Sequence, residues 1–227
     1  MERCRILGLD DAIKQLQSGD WNGAISTLKT VPPSFQVCNL SGVAHQMSQD
    51  WDGAVASWLN ALTYNPSSED VRLNLGIAFI ALGRKQEAER QWLTILEANS
   101  THVQSLINLG LMNREQNKNQ SAHDYWERAL KILPTHPKVI EWLADVKGVL
   151  GFELFELGNI KEATSLLNQA ASMDPTHGLL WWFLSKVHIH NQEYEIAYTA
   201  CQKAVDLEPG NEDYNRTLLN INRYRRC

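Results

Sequence analysis

The sequence has no C-x-x-C pair, no H-E-x-x-H, no phosphate-binding glycine loop and nowhere a run of about 18 apolar residues. These absences argue against paired-thiol chemistry, a metalloprotease helix, a phosphate-binding loop and a membrane-spanning helix. Its four cysteines, Cys4, Cys38, Cys201 and Cys227, are scattered with no disulfide-like framework and read as reduced thiols. The charges, net -5, are interspersed, so the basic stripe that a phosphate backbone demands is missing and no nucleic-acid partner is expected. Two small basic clusters, Arg3 with Arg5 and Arg223 with Arg225 and Arg226, read as solvated termini. The first residues lack the apolar run of a secretory signal, and the expectation is a cytoplasmic protein with no membrane partner.

Reactive side chains are present but do not assemble into chemistry on paper. His102, His136 and His177 recur two residues after Ser100, Pro134 and Pro175, like rungs of a ladder. If successive rungs belong to neighbouring helical units they stand about 10 Å apart, too far for one metal with ligand bonds of about 2 Å. They read instead as polar residues opening the next helix. His188 and His190 are two apart and point to different faces of a helix, unlike a metal pair at i and i+4. Acid pairs such as Glu87 with Glu89 and Glu193 with Glu195 read as solvated surface. Asn-x-Ser/Thr sequons at Asn39, Asn99, Asn119 and Asn215 read as coincidence in an asparagine-rich chain. No catalytic residue, metal site or cofactor is expected.

What the chain does have is a period. Ala54, Ala88, Ala122, Ala163 and Ala197 are separated by 34, 34, 41 and 34 residues, and their neighbours travel with them. Trp58, Trp92 and Trp126 stand four residues after the first three; Gly42, Gly76, Gly110, Gly151 and Ser185 stand twelve before; Pro66, Ser100, Pro134, Pro175 and Pro209 stand twelve after. A unit of this length is a helix hairpin that buries its apolar face only against its neighbours. The first helix carries the small residue and the second carries the alanine with the tryptophan one turn on, so small meets large across the hairpin. Turns fall at Gly83 and Gly158 and at polar runs near residues 48–50, 117–119 and 191–193, while prolines separate the units. Ser100 takes the proline's place in one junction, which is expected to be less stiff for it.

An incomplete first unit precedes these, with Ala12, Gly19, Trp21 and Ala24 at the landmark positions. Ala24 to Ala54 is 30 residues, four short of the period, so a tight turn near Val31, Pro32 and Pro33 and a second helix cut by about a turn are expected. The seven extra residues between Ala122 and Ala163 fall in residues 137–148, where Val139, Trp142, Val146 and Val149 keep helical spacing. An extended first helix either packs on an adjacent unit or projects toward a partner. After Pro209, residues 211–225 carry Tyr214, Leu218, Ile221 and Tyr224 near one face, as a terminal cap requires.

These landmarks resemble the tetratricopeptide repeat (TPR) family. The matching stretches are Leu73-Asn74-Leu75-Gly76 with Ala88 and Trp92; Leu106-Ile107-Asn108-Leu109-Gly110 with Ala122, Trp126, Ala129 and Pro134; and Leu150-Gly151 with Gly158, Ala163, Ala170 and Pro175. The family's Phe is replaced by Leu167 and Cys201 in the last two units. The resemblance implies an all-α fold: an α-solenoid, a right-handed superhelix of about six helix-turn-helix units in residues 1–210. Its units are roughly 5–32, 35–66, 69–100, 103–134, 137–175 with the extended first helix, and 178–209. A capping helix and basic tail follow in residues 211–227.

The resemblance also implies a concave groove lined by first helices. Positions three before, one after and four after the small landmark share a face, giving Asn39, Leu73, Ile107, Gly148 and Trp182, then Val43, Ile77, Leu111, Phe152 and Lys186, then Gln46, Ile80, Arg114, Phe155 and Ile189. The middle of that face is apolar, which marks a contact surface. The expectation is a non-enzymatic scaffold or adaptor whose partner is another protein. Leu73, Ile77, Ile80, Ile107, Leu111, Phe152 and Phe155 would grip an apolar peptide or amphipathic helix, and Asn74 and Asn108 would fix its backbone. Filling of the face by tight winding or by the chain's own ends is the competing reading. The chaperone clamp for Hsp70 and Hsp90 C-termini is not expected, because no basic residue stands three or six positions before the landmarks and carboxylates need cationic donors. A structural module that self-associates into a homo-oligomer, or forms one arm of an assembly, is the alternative function.

Overall fold

Capping side chains set where the helices begin. The structure is a computed structural model that describes residues 2–225, with side chains from residue 8 onward. The side chains of Arg3, Cys4 and Arg5, and residues Arg226 and Cys227, lie outside the described residues. The described residues form thirteen α-helices and no strand, in two compact units, Met1–Asn108 and Leu109–Cys227. The first unit holds α1 (Glu2–Ser18), α2 (Trp21–Leu28), α3 (Phe35–Met47), α4 (Trp51–Tyr64), α5 (Glu69–Ala81), α6 (Lys85–Ala98) and the opening of α7 (Val103–Glu115). Within it α1 packs on α2, α3 on α4 and α5 on α6 as hairpins, and α2 on α3 and α4 on α5 join them. The second unit holds the rest of α7, then α8 (Asn119–Ile132), α9 (Pro137–Glu156), α10 (Ile160–Met173), α11 (Gly178–His190), α12 (Tyr194–Leu207) and α13 (Glu212–Tyr224). There α9 pairs with α10 and α11 with α12, while α13 packs on α12.

Ser34, Ser68, Asp20 and Asp50 each accept a hydrogen bond from the backbone N–H three residues on, satisfying a donor that the first helical turn leaves free. Hairpin turns require one residue in the left-handed region. Gly19, Gly83 and Gly158 supply it at φ 81°, 73° and 83°, whereas Gln49, Asn117 and Gln192 adopt 62°, 58° and 62° with a side chain to accommodate. Between hairpins the Asn65, Asn99 and Asp174 side chains accept from the N–H two residues on, in Asx turns. Asn99 makes the same turn beside Ser100 as Asn65 makes beside Pro66, so the turn forms with or without the proline. The sequon at Asn99 is this turn.

Small meets large inside each hairpin. Ala24, Ala54, Ala88, Ala122, Ala163 and Ala197 have no exposed surface, and Trp58, Trp92 and Trp126 are 3% exposed or less. A Cβ on Gly42, Gly76 or Gly110 would lie inside the indole of Trp58, Trp92 or Trp126. That close approach lets Trp58 Nε1 donate to Asn39 Oδ1 (3.1 Å) and Trp92 Nε1 to the Leu73 carbonyl (3.3 Å), so the buried N–H groups are satisfied. In α9/α10 the pair is Gly151 with Leu167. In α11/α12 it is Ser185 with Cys201, both buried, and burial pushes the Cys201 thiol up to about 11. As the second-helix residue shrinks, the first helix tolerates a hydroxyl.

Two expectations shift. The second helix of the first hairpin, α2, has 8 residues against 14 in α4, a loss nearer two turns than one. Pro32 and Pro33 stop it, and Val31, 7% exposed, tucks into the cluster of Ala12, Leu28 and Val37. The basic C-terminal end is not simply solvated: Arg225 donates to both Glu195 carboxylate oxygens (2.9 and 2.6 Å) and lies over Tyr198.

The extended helix packs. α9 has 20 residues against 13 in α5 and α11, and in its added part Val139, Leu143, Ala144 and Val146 are buried while Trp142 lies 5.6 Å from Trp126. Lys147 is buried too. Its ammonium donates to Glu127 Oε1 on α8 and Gln169 Oε1 on α10, each at 3.0 Å. Burial acts to raise the Glu127 carboxyl, but the Lys147 hydrogen bond and the charges of Lys147, His123 and Lys131 outweigh it and hold the group below its ordinary value.

Candidate protein-binding faces

The first helices carry every residue singled out for binding, and each unit presents its own set. In the first unit the Asn39 side chain is engaged inward by Trp58, Leu73 is half-buried, and Ile107 is only 4% exposed. The position three before the landmark therefore contributes to packing. At the next positions along α3 and α5, Val43 and Ile80 are half-buried and Ile77 is 36% exposed, leaving an aliphatic strip in contact with water. Asn74 is half-buried beside it. Asn108 accepts from Gln104 Nε2 (3.1 Å), while its own Nδ2 is buried without a hydrogen-bond acceptor among the described residues.

In the second unit Leu111 is half-buried, and Arg114 is committed to Asp145 Oδ2 (2.8 Å from Nη2) and to Asn119 Oδ1 (3.3 Å). Gly148, which shares the row of Leu73, is buried where a Cβ would strike Leu180 of α11. Beyond it α9 and α11 build an aromatic face. Phe152 stacks on Phe183 with centroids 4.3 Å apart and planes 14° from parallel, and Phe155 tilts against Phe152 at 5.8 Å. Phe155 meets His190 edge-on, at 5.6 Å. Trp182 continues the run, 5.7 Å from Phe183 and 5.6 Å from Tyr214 of α13, and donates from Nε1 to Thr217 Oγ1 (2.9 Å). The cap helix thus covers part of Trp182, while Trp181 turns the other way, donating to the Pro175 carbonyl with Lys203 over its ring. Lys186 Nζ lies 4.1 Å above Trp182 and 5.6 Å from Phe152.

Sequence reasoning did not anticipate the Phe183 and Tyr214 contributions, because both occupy positions that read as core. It also missed Lys147. The signal for Phe183 was its place beside Trp182 in an unusually aromatic stretch.

The histidines have local tasks. His102 Nδ1 accepts from the Ser105 N–H (3.2 Å) and His136 Nδ1 from the Val139 N–H (3.3 Å), so these rings cap α7 and α9. His45 and His188 sit 2.7 and 2.6 Å from Asp50 and Glu193, the carboxylates that open the following helices. The Gly53 N–H, with His45 behind it, holds the Asp50 carboxyl below its ordinary range, and the His188 hydrogen bond does the same for Glu193. Among the described residues no three His, Cys, Asp or Glu side chains are grouped to hold a metal ion, and no helix is long and apolar enough to cross a membrane.

Comparison with known proteins agrees with this architecture. Residues 41–102, 103–133 and 154–220 each match a family model described as tetratricopeptide repeat. A search of curated proteins found no match. Among solved structures, the C-terminal part of a TPR repeat-containing protein from Cytophaga hutchinsonii is 15% identical at a TM-score of 0.62, covering 95% of this chain and 85% of that one. A tetratricopeptide repeat protein from Parabacteroides merdae is 16% identical at 0.56, covering 96% and 84%. PilF of Pseudomonas aeruginosa is 18% identical at 0.54, covering 96% and 98%. At these identities the likeness is one of fold. With glycine meeting tryptophan inside its hairpins, left-handed turns between their helices and three matched stretches that together span well over half its length, the chain belongs to the tetratricopeptide repeat family.

Proposed function

We propose that this protein is a non-enzymatic adaptor that captures an apolar peptide or amphipathic helix of a partner protein on the first-helix faces of its hairpins. The supporting observation is apolar side chains left in contact with water on those helices, foremost Ile77, 36% exposed between the half-buried Val43 and Ile80. Single exposed aliphatics are ordinary on a protein surface, but a row in helical register suits the i, i+3, i+4 anchors of a docked helix. In the second unit Phe152 and Phe155 offer the aromatic equivalent, with Leu111 and Arg114 on the neighbouring helix. A chaperone C-terminus is a poor fit, because no basic residue stands three or six positions before the landmarks.

The test is affinity capture from native lysate with the wild type and with an Ile77→Glu, Leu111→Glu double variant whose helicity is verified by circular dichroism. A protein retained by the wild type and lost by the folded variant supports the adaptor reading; identical retention contradicts it. Light scattering of the purified chain addresses self-association, since a self-assembling module forms oligomers alone whereas an adaptor stays monomeric until its ligand is added.

A further inference from the structure

We propose that the aromatic face of the second unit takes an amphipathic segment in which one side-chain carboxylate stands between apolar side chains, the carboxylate seated on Lys186 Nζ. The inference rests on the peptide-capture reading above and specifies its partner's chemistry.

Lys186 is a cation fixed in place without an anion. Its ammonium is held over Trp182 at 4.1 Å and beside Phe152 at 5.6 Å, and no carboxylate among the described residues pairs with it. Elsewhere in the same unit Lys147 pairs with Glu127, Arg114 with Asp145 and Arg225 with Glu195. Lys203 also lies over a ring, but it is exposed and water can complete its shell, whereas Lys186 is half-buried. The Trp182 and Phe152 rings attract the ammonium and orient it. They do not neutralise it, so three N–H donors still seek an acceptor, and a carboxylate is the strongest complement an ordinary protein offers.

The surroundings decide which anion. Phe152 and Phe155 are half-buried on one side of Lys186 and Trp182 lies on another, so apolar groups flank the charge. An anion there needs apolar neighbours, which an internal Asp or Glu of an amphipathic segment has and a free chain terminus has only on one side. His190 lies edge-on to Phe155, and the Glu153 carboxylate of α9 accepts from Asn119 Nδ2 (3.3 Å) while keeping its charge. The complement to an anion on this face is Lys186 itself. One lysine supplies one charge, which a single carboxylate balances, whereas a phosphate of charge near -2 is left with a surplus among apolar neighbours.

The experiment selects random dodecapeptides displayed on phage against the full chain and against Lys186→Glu, with Lys186→Met, which keeps the stem over the rings, used if charge reversal disturbs folding. The wild type is expected to enrich Asp or Glu flanked by Leu, Ile, Phe or Trp, and Lys186→Glu to enrich Lys or Arg at that position. The Lys186→Met variant should bind the best acidic peptide about three- to tenfold more weakly, and the Glu→Gln form of that peptide should not distinguish the two proteins. Apolar peptides enriched without an acidic bias, or with a bias that Lys186→Glu leaves unchanged, overturn the inference and leave peptide capture standing. A phosphoserine version binding more tightly than the Glu peptide overturns the carboxylate assignment in favour of phosphate. No peptide enriched over a bare support overturns both readings.

Discussion

In the hairpin of α5 and α6 a tryptophan lies between the two helices; in the hairpin of α11 and α12 the tryptophans lie on the first helix, away from the buried small pair. Trp92 lies between its two helices against Gly76, and the outward side of α5 is left to aliphatic Ile77 and Ile80. In α11/α12 the interior pair is Ser185 with Cys201, and the aromatic mass sits on the first helix as Phe183, stacked on Phe152, and Trp182, tilted against Tyr214. The same small-to-large rule operates in both, but the first helices present different faces. The water-facing side of α5 is aliphatic, whereas α11 shares an aromatic face with α9, whose own hairpin is filled from the second helix by Leu167, and that face holds a cation.

The comparison breaks most readily at the interior. Trp92→Ala removes a buried ring and is expected to cost about 4 kcal/mol, while Gly76→Ala drives a methyl into the indole and costs about 2 kcal/mol. Cys201→Ala, deleting one sulfur, should cost about 1 kcal/mol. Urea unfolding of the three variants checks the order, and a Cys201→Ala loss as large as that of Trp92→Ala would erase the distinction between the hairpins.

The buried pair of the second unit is next. Glu127→Ala leaves the Lys147 ammonium with only Gln169 and is expected to destabilise by about 2 kcal/mol, whereas Lys147→Met, filling the same space without charge, is expected to be neutral or stabilising at pH 7. The Glu127 carboxyl is held below its ordinary value of 4.5, so its contribution is complete above that value and is lost as pH falls through the lower folded-state value. Acid unfolding of the wild type followed by circular dichroism should therefore show a loss that Lys147→Met reduces.

The smallest effects sharpen the turns. Gln49→Gly and Gln192→Gly replace a side chain at φ 62° and should each stabilise by about 0.5–1 kcal/mol; Gly83→Ala should destabilise by a similar amount. Thermal melts of the three variants resolve the signs.

The glycine and tryptophan spacing made the hairpins legible, because a fixed offset between the smallest and the largest residue has few explanations other than close packing. Left-handed turns at Gly83 and Gly158 were legible for the same reason, since only glycine adopts them freely. Lys147 was not, because a lysine in an amphipathic helix reads as solvent-facing and its partners lie 20 and 22 residues away on other helices. The shortness of α2 was half legible: the prolines marked the stop, but the tucking of Val31 that moves it earlier depends on tertiary contact. The candidate faces were legible as rows of residues. Their accessibility was not, because burial of Ile107 and Gly148 depends on the neighbouring helix.

The most direct test of protein capture by first helices is amide hydrogen exchange of the full chain with and without a partner obtained by affinity capture. Slowed exchange is expected in α5 or in α9 and α11, with the second helices α6, α10 and α12 unchanged. Protection confined to the second helices would contradict it.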